Sequence, residues 1–438
     1  MRGSRFAAAF AVLASSAQAR AQPADPATDS GPPPTSDKVT AEPQSGWGTY
    51  EPGFGKGFNV AKTEIGELSL SGYSLFRFID QTGNDAFVDH LGNVVPIDRR
   101  LDLTLHRMLV YLNGWFYDRK FRFNTTVWAI LSTQQVNVIG SLTYLFHPAF
   151  ALTAGVYGLP GDRSLQDIWP YFLGTDRVMA DDFFRPGFTS GIWASGEPVP
   201  GLKYKAMVGN GLNQVGIKAG QLTRQLATSA SVWWMPTTDE FGDRGGFGDW
   251  EMHDRVATRI GVSFTHSREN RQDQIATQSP DNNSIRLSDS VNAFQTGALA
   301  PGVSLLDATY WLAAADAGFK YEGLHVQAEY YYRVIDDLYA DGPLPLGRIV
   351  DHGFYVQPSY FVAPRKLMLY GITSVIFGQF DTPWEAGGGV NYYPFKSRNF
   401  RFNAQADWVH RSAASSLFGY YVGGQTGMTL SSSLDLLF

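Results

Sequence analysis

The 438-residue chain has no cysteine, so disulfides and thiolate chemistry are excluded, although an oxidising compartment is not. After the N-terminus it also lacks any run of about 18 uncharged apolar residues, which excludes a bundle of membrane-crossing helices. No heptad or sustained 3.6-residue pattern survives in the body of the chain. Nor is there a nucleophile elbow, a metal-spaced His pair or a phosphate-cradling glycine loop, so enzymes built on those motifs are excluded. Basic charge is scarce as well. The formal net charge is −6, which argues against nucleic acid as a partner. Aromatic residues are plentiful: 30 Phe, 21 Tyr and 11 Trp.

The N-terminus reads as an export signal. Arg2 and Arg5 form a positive n-region and "FAAAFAVLASSA" an apolar stretch. Ala19-Arg20-Ala21 (or Ala17-Gln18-Ala19) then offers small residues for cleavage. Removing residues 1–21 takes Arg2, Arg5 and Arg20 with it, so the mature charge is −6 − 3 = −9. Residues 22–60 form a Pro-rich linker and N-terminal segment. The stretch 22–46 has almost no large apolar residues and cannot bury a core. The remainder, 61–438, has one uniform texture.

That texture is short segments of alternating polarity between turn signals, the pattern of strands. Sixteen segments can be counted, from "LSLSGYSLFRFI" (68–79) and "RLDLTLHRMLVYLNGWF" (100–116) to the terminal "TGMTLSSSLDLLF". Short turns such as "DRK" (118–120), "PVPG" (198–201) and "APR" (363–365) alternate with long polar loops, among them 80–99, 159–187 and 266–308. Short turns on one side and long loops on the other are the asymmetry of an outer-membrane barrel. Two connections break it. The link 133–137 is short where a loop is due, and 235–255 is long where a turn is due. The expected fold is therefore all-β: a transmembrane antiparallel β-barrel of about 16 strands.

Alternation predicts which residues face inward. In "LHVQAEYYYRVI" one face carries His325, Gln327, Glu329, Tyr331 and Arg333, and the other Leu324, Val326, Ala328, Tyr330 and Tyr332. Aromatics near strand ends ("GWF", "VWW", "YYY", "NYY") fit girdles at two membrane interfaces. His147 and His410, at strand ends, read as interfacial residues. Phe438, Leu436 and Leu434 lie on the apolar face of the last strand. That strand must pair with the first to remove both free edges. Asp435, Ser433, Ser431 and Thr429 are then expected to face water inside, with Phe438 at the lipid.

Function is expected in the lumen. The basic pore-lining candidates are Arg77, Arg122, Lys203, Lys205, Arg259, Lys320, Arg333 and Arg401; the acidic ones are Asp102, Asp316, Glu329, Glu385 and Asp407. That mild cationic bias would favour anions by focusing the field in a narrow channel. The 159–187 loop mixes apolar residues with charge, so it is the candidate to fold inward and narrow the pore. Its named residues are Arg163, Asp167, Trp169, Tyr171, Arg177, Asp181, Asp182 and Arg185. Asp243, Asp249 and Glu251, in "GDRGGFGDWE", lack the alternating spacing of a calcium loop and read as a solvated turn. No cofactor and no metal is expected.

The stretches "FALTAGVYGLPGDRSLQD", "DRVMADDFFRPGFTSGIWASGE" and "YKAMVGNGLN" resemble the phosphate-selective porin O and P family. So do "GGGVNYYPFKSRNFRFNAQADWVHRS" and the terminal "SLDLLF", and the likeness runs over roughly residues 60–438. It implies a 16-stranded, trimeric outer-membrane porin with an inward-folded third loop. In that family lysines at the constriction and arginines along the lumen select anions. The arginine role carries over to Arg77, Arg122, Arg333 and Arg401, whereas the 159–187 loop here has no lysine and is net acidic. The resemblance further implies that the terminal Phe438 is read by the outer-membrane barrel assembly machinery. The expected function is diffusion of small hydrophilic solutes, weakly favouring anions, with phosphate as one candidate. The alternative is a carbohydrate-selective pore lined by aromatics. A barrel enzyme or adhesin would need a wall triad or a large external domain, and neither is visible. Expected partners are lipid, two further copies of the chain and small ions or solutes.

Overall fold

Alternating polarity folds here into one closed sheet. The computed structural model describes residues 49–130, 134–216, 225–275, 284–415 and 419–438; the expected signal peptide and the 22–46 linker lie outside them. Sixteen strands form the wall. They are β1 (Gly66–Gln81), β2 (Leu101–Phe116), β3 (Asp118–Ile130), β4 (Gln135–His147), β5 (Phe150–Gly158) and β6 (Phe188–Val199). Next come β7 (Leu202–Gly209), β8 (Ala227–Trp234), β9 (Ala257–Asn270), β10 (Leu305–Tyr321) and β11 (Leu324–Ala340). The last are β12 (Ile349–Ala363), β13 (Leu367–Phe377), β14 (Trp384–Tyr392), β15 (Phe400–His410) and β16 (Gly427–Leu437). Each pairs antiparallel with its sequence neighbour, and β16 pairs with β1 from Thr429↔Gln81 to Leu437↔Tyr73. Closure removes every free edge, as a wall bathed in lipid requires.

The exposure pattern is that of a protein turned inside out. Along β11, Tyr330 and Tyr332 are 45% and 46% exposed, while Glu329 and Arg333 on either side of them are 2% and 1% exposed. Along β15, Phe402 and Trp408 are exposed and Arg401, Asn403 and Asp407 are buried. Exposed apolar bands of this extent are stable only against lipid. Exposed aromatics form the two rims. At the short-turn end Tyr392 stacks on Phe402 across β14–β15, and at the long-loop end Trp384 stacks on His410.

The chain terminus is built into this wall. Thr429–Leu436 have partners on both sides. Beyond them Phe438 exchanges two backbone hydrogen bonds with Gly72, at 2.7 and 2.9 Å. A side chain at position 72 would overlap the Phe438 ring, so glycine is needed there. Asp435, Ser433, Ser431 and Thr429 do point inward, but all four are buried under packed side chains and do not face open water.

The two irregular connections are real. The β3–β4 link is short, and the β8–β9 link runs from Met235 to Val256 at the short-turn end. There it joins a small N-terminal addition, in which strand Gly57–Thr63 pairs with both Tyr50–Glu51 and the start of β1.

Candidate functional site

The lumen is filled on one side and open on the other. The 159–187 segment leaves the end of β5, turns inward and is buried at nearly every residue; it contains the short helix α1 (Met179–Phe184). Backbone buried away from water must find partners. It finds them on the far wall. Arg401 donates to the carbonyls of Phe172 (2.6 Å), Leu173 (3.2 Å) and Gly174 (3.3 Å) while pairing with Asp435 at 3.0 Å. Arg333 pairs with Asp351 at 2.6 Å, donates to the Phe183 carbonyl and lies 4.0 Å over the Phe183 ring. In return, loop N–H groups donate to wall carboxylates: Arg163 to Glu329 at 2.8 Å and Met179 to Glu385 at 2.6 Å. Tyr310 on β10 reaches the Phe184 carbonyl at 2.6 Å.

Other charges are also matched. Asp176 of the loop takes Arg107 at 3.1 Å and Arg77 at 3.7 Å. Arg259 pairs with Asp316 at 2.9 Å and also donates to Gln166. Within the loop Arg177 lies 3.8 Å from Asp181, and Arg185 lies 3.0 Å from Asp182. From the short-turn end the 235–256 connection rises under the loop. Lys320 on β10 donates to its Phe241 and Gly246 carbonyls, each at 2.8 Å, and the Phe247 N–H donates to the Tyr171 carbonyl at 2.9 Å.

Against β2–β8 the picture reverses. A cavity of about 660 Å³ reaches from Pro148 in the short β4–β5 turn to Gly158 and Phe188, the ends of β5 and β6 at the long-loop rim. It therefore follows the whole of β5, roughly 27 Å at about 3.3 Å per residue. Its polar wall is Ser141, Thr143, Thr153 and Asn124. Its charged groups are Arg107, Arg177, Lys203, Lys205 and Arg244 against Asp167 and Glu197. Lys205 holds both oxygens of Asp167, at 2.9 and 2.8 Å, and sits 4.2 Å over the Tyr157 ring. Lys203 stands 3.8 Å from Glu197. Inward-facing Trp128, Trp193 and Trp233 add indole faces, with Trp169 from the loop opposite them.

No family model matches the chain, and no curated relative matches it. Solved structures do. OmpT, an outer membrane protein of Vibrio cholerae, aligns at 13% identity and a TM-score of 0.50, over 86% of this chain and 99% of that one. Salmonella typhi OmpF in complex with daunomycin aligns at 11% identity and a TM-score of 0.50, over 87% and 100%. The fold is that of a bacterial outer-membrane β-barrel. Identities this low show the architecture alone.

In this barrel the residues expected to line the pore divide into three groups. Arg77, Arg259, Lys320, Arg333, Arg401, Asp316, Glu329, Glu385 and Asp407 face inward but are buried beneath inserted segments, and none borders the cavity. Lys203 and Lys205 do border it. Arg122 and Asp102 sit at opposite rims: Arg122 is exposed, its Nε on the Arg119 carbonyl, and Asp102 pairs with Arg100 at 2.8 Å. Of the loop candidates, Asp167, Trp169 and Arg177 border the cavity. Arg163, Tyr171, Asp181, Asp182 and Arg185 lie in the packed part.

Sequence reasoning passed over Arg107. On strict alternation from Asp102 its side chain points outward. The register slips between Leu75↔Arg107 and Phe76↔Leu105, so His106 is one extra residue and Arg107 turns inward. The aromatics of "VWW" read as part of a lipid girdle, but Trp233 faces the cavity, as Trp128 does. Arg244 belongs to the long β8–β9 connection, whose length was the available signal.

The acidic cluster in that connection is engaged by its own neighbours. Asp249, Glu251 and His253 bring ligand-type atoms within 4.8 Å of one another. Asp249 accepts from the His253 ring and from the Gly323 N–H at 2.7 Å, and Glu251 has Lys320 at 3.7 Å and Arg398 at 3.9 Å. Burial would raise the Glu251 carboxyl, but Lys320 and Arg398 hold it below its ordinary value. Burial likewise opposes protonation of His253, yet its hydrogen bonds to Asp249 and Glu240 raise its imidazole above the usual value.

Proposed function

We propose that this protein is an outer-membrane porin, a channel through which small hydrophilic solutes diffuse along the β2–β8 side of the lumen with a weak preference for anions. One observation carries the reading: five cationic side chains and two carboxylates border a cavity that follows the full height of β5, with Arg107 and Arg177 also paired to loop carboxylates behind its wall. In a narrow passage with low-dielectric walls, such an excess raises the local anion concentration. The resemblance to the phosphate-selective family supports phosphate as one such anion and a homotrimer as the assembled form. The indole faces favour the second reading, a solute with a ring that stacks on them.

Planar-bilayer recording on the full-length protein tests the proposal. Stepwise conductance in KCl is expected, with a reversal potential in a salt gradient on the chloride side. Lys203→Glu together with Arg244→Glu should move that potential towards potassium. Absence of any channel, or cation selectivity in the unsubstituted protein, would overturn the reading.

A further inference from the structure

Passing small hydrated anions alone needs no apolar surface in the wall. This cavity has it nonetheless. Tyr157 and Trp193 pack at a tilt, with centroids 5.4 Å apart and 33° between planes, and Trp128 packs edge-on to Phe188 at 6.1 Å. Trp128 and Trp193 border the cavity, so their indoles add flat apolar surface to its wall. Carbohydrates also stack on such faces, but they need acceptors for their many hydroxyl protons. Both carboxylates of the cavity are already taken: Asp167 by Lys205, and Glu197 by Lys203 and the Gly201 N–H at 2.8 Å.

Two donors stand out along the cavity. The Trp128 indole N–H is buried with no hydrogen-bond partner, in a residue only 6% exposed on the cavity wall. A buried donor left unsatisfied costs free energy, which a ligand acceptor recovers. Arg244 is the second. Its Nε is held by the Trp169 carbonyl at 2.8 Å and its guanidinium covers the Phe54 ring at 4.1 Å. Among the described residues no carboxylate lies within 4.0 Å of it.

A guanidinium with no carboxylate in contact, a free N–H and flat apolar surface in one cavity define a ligand by complementarity. We propose that the cavity binds and passes aromatic carboxylates, the ring against the indole surfaces of the wall and the carboxylate taken by donors along the passage, Arg244 and the Trp128 N–H. This rests on the channel reading above and narrows it to a solute class.

Benzoate is the probe, with acetate, phosphate, cyclohexanecarboxylate and glucose as comparators. Their binding to the full-length protein in detergent is measured by calorimetry, and KCl conductance is recorded separately in bilayers. Benzoate is expected to bind at least about tenfold tighter than acetate or glucose, and to reduce KCl current as it occupies the passage. Trp128→Phe keeps the ring and removes the donor, so it should weaken benzoate several-fold while leaving the order of the comparators intact. Arg244→Gln lies outside the wall and cannot disturb strand pairing; about a tenfold loss for benzoate and none for glucose is expected. Glucose binding as tightly as benzoate would overturn the proposal in favour of a sugar. Acetate and phosphate binding equally well would overturn it in favour of charge alone. KCl conductance without benzoate preference would sink the inference and leave the channel standing. Benzoate binding without KCl conductance would uphold the site and sink the channel.

Discussion

The two halves of the lumen use the same kind of wall for opposite purposes. Along β9–β15 the inward face carries Arg259, Lys320, Arg333 and Arg401, and each is spent on an inserted carbonyl or side-chain oxygen and, for the arginines, a buried carboxylate as well. Along β2–β8 the inward face carries Ser141, Thr143, Lys203 and Lys205 and borders open space. The first wall holds a plug; the second leaves a conduit. An inward-facing arginine in a barrel is therefore not by itself a pore-lining group. It counts as one only where no backbone has arrived to take its hydrogens.

The largest test of this contrast removes the plug. Replacing 163–185 with a short Gly-Ser linker should raise single-channel conductance several-fold, because the β9–β15 half would fill with water. An unchanged conductance would mean that the loop does not occupy that half. A smaller effect compares one residue from each side. Arg401→Met strips three loop carbonyls and Asp435 of a buried partner, and it should cost about 3–5 kcal/mol in denaturant unfolding. Lys203→Met breaks a half-exposed pair and should cost about 0–1 kcal/mol. Equal costs would erase the distinction between anchor and lining.

The smallest effect concerns the floor of the packed half. His253 has a raised folded-state value, so its contribution to holding the 235–256 connection is full below the free imidazole value of about 6.5. It is lost as pH rises through the raised value. Protection factors across 235–256, that is exchange corrected for the intrinsic base-catalysed rate, should thus fall on going from acid to mildly alkaline pH, and His253→Gln should flatten that fall. A pH response unaltered by that substitution would assign it to other groups.

Much of this architecture was legible in the sequence because strand alternation and connection length are local signals. The sixteen segments, the inward-folding loop and both irregular connections could be read from residues close together in the chain. What could not be read is long-range. Whether Arg333 meets water or the Phe183 carbonyl depends on a segment 150 residues earlier. The extra residue at His106 reverses the parity that placed Arg107, and nothing in "LTLHRMLVY" announces it.

The absence of cysteine makes the central contrast directly measurable, since any introduced thiol is the sole target. Ser141→Cys places one on the β4 wall of the cavity, and Gln357→Cys places one on β12, buried in the packed half. Channel current is then followed while a bulky, charged thiol reagent is added. A stepwise fall in conductance is expected for Ser141→Cys, with no change for Gln357→Cys. A fall at position 357 with none at 141 would put the conduit on the other side of the barrel and contradict the account.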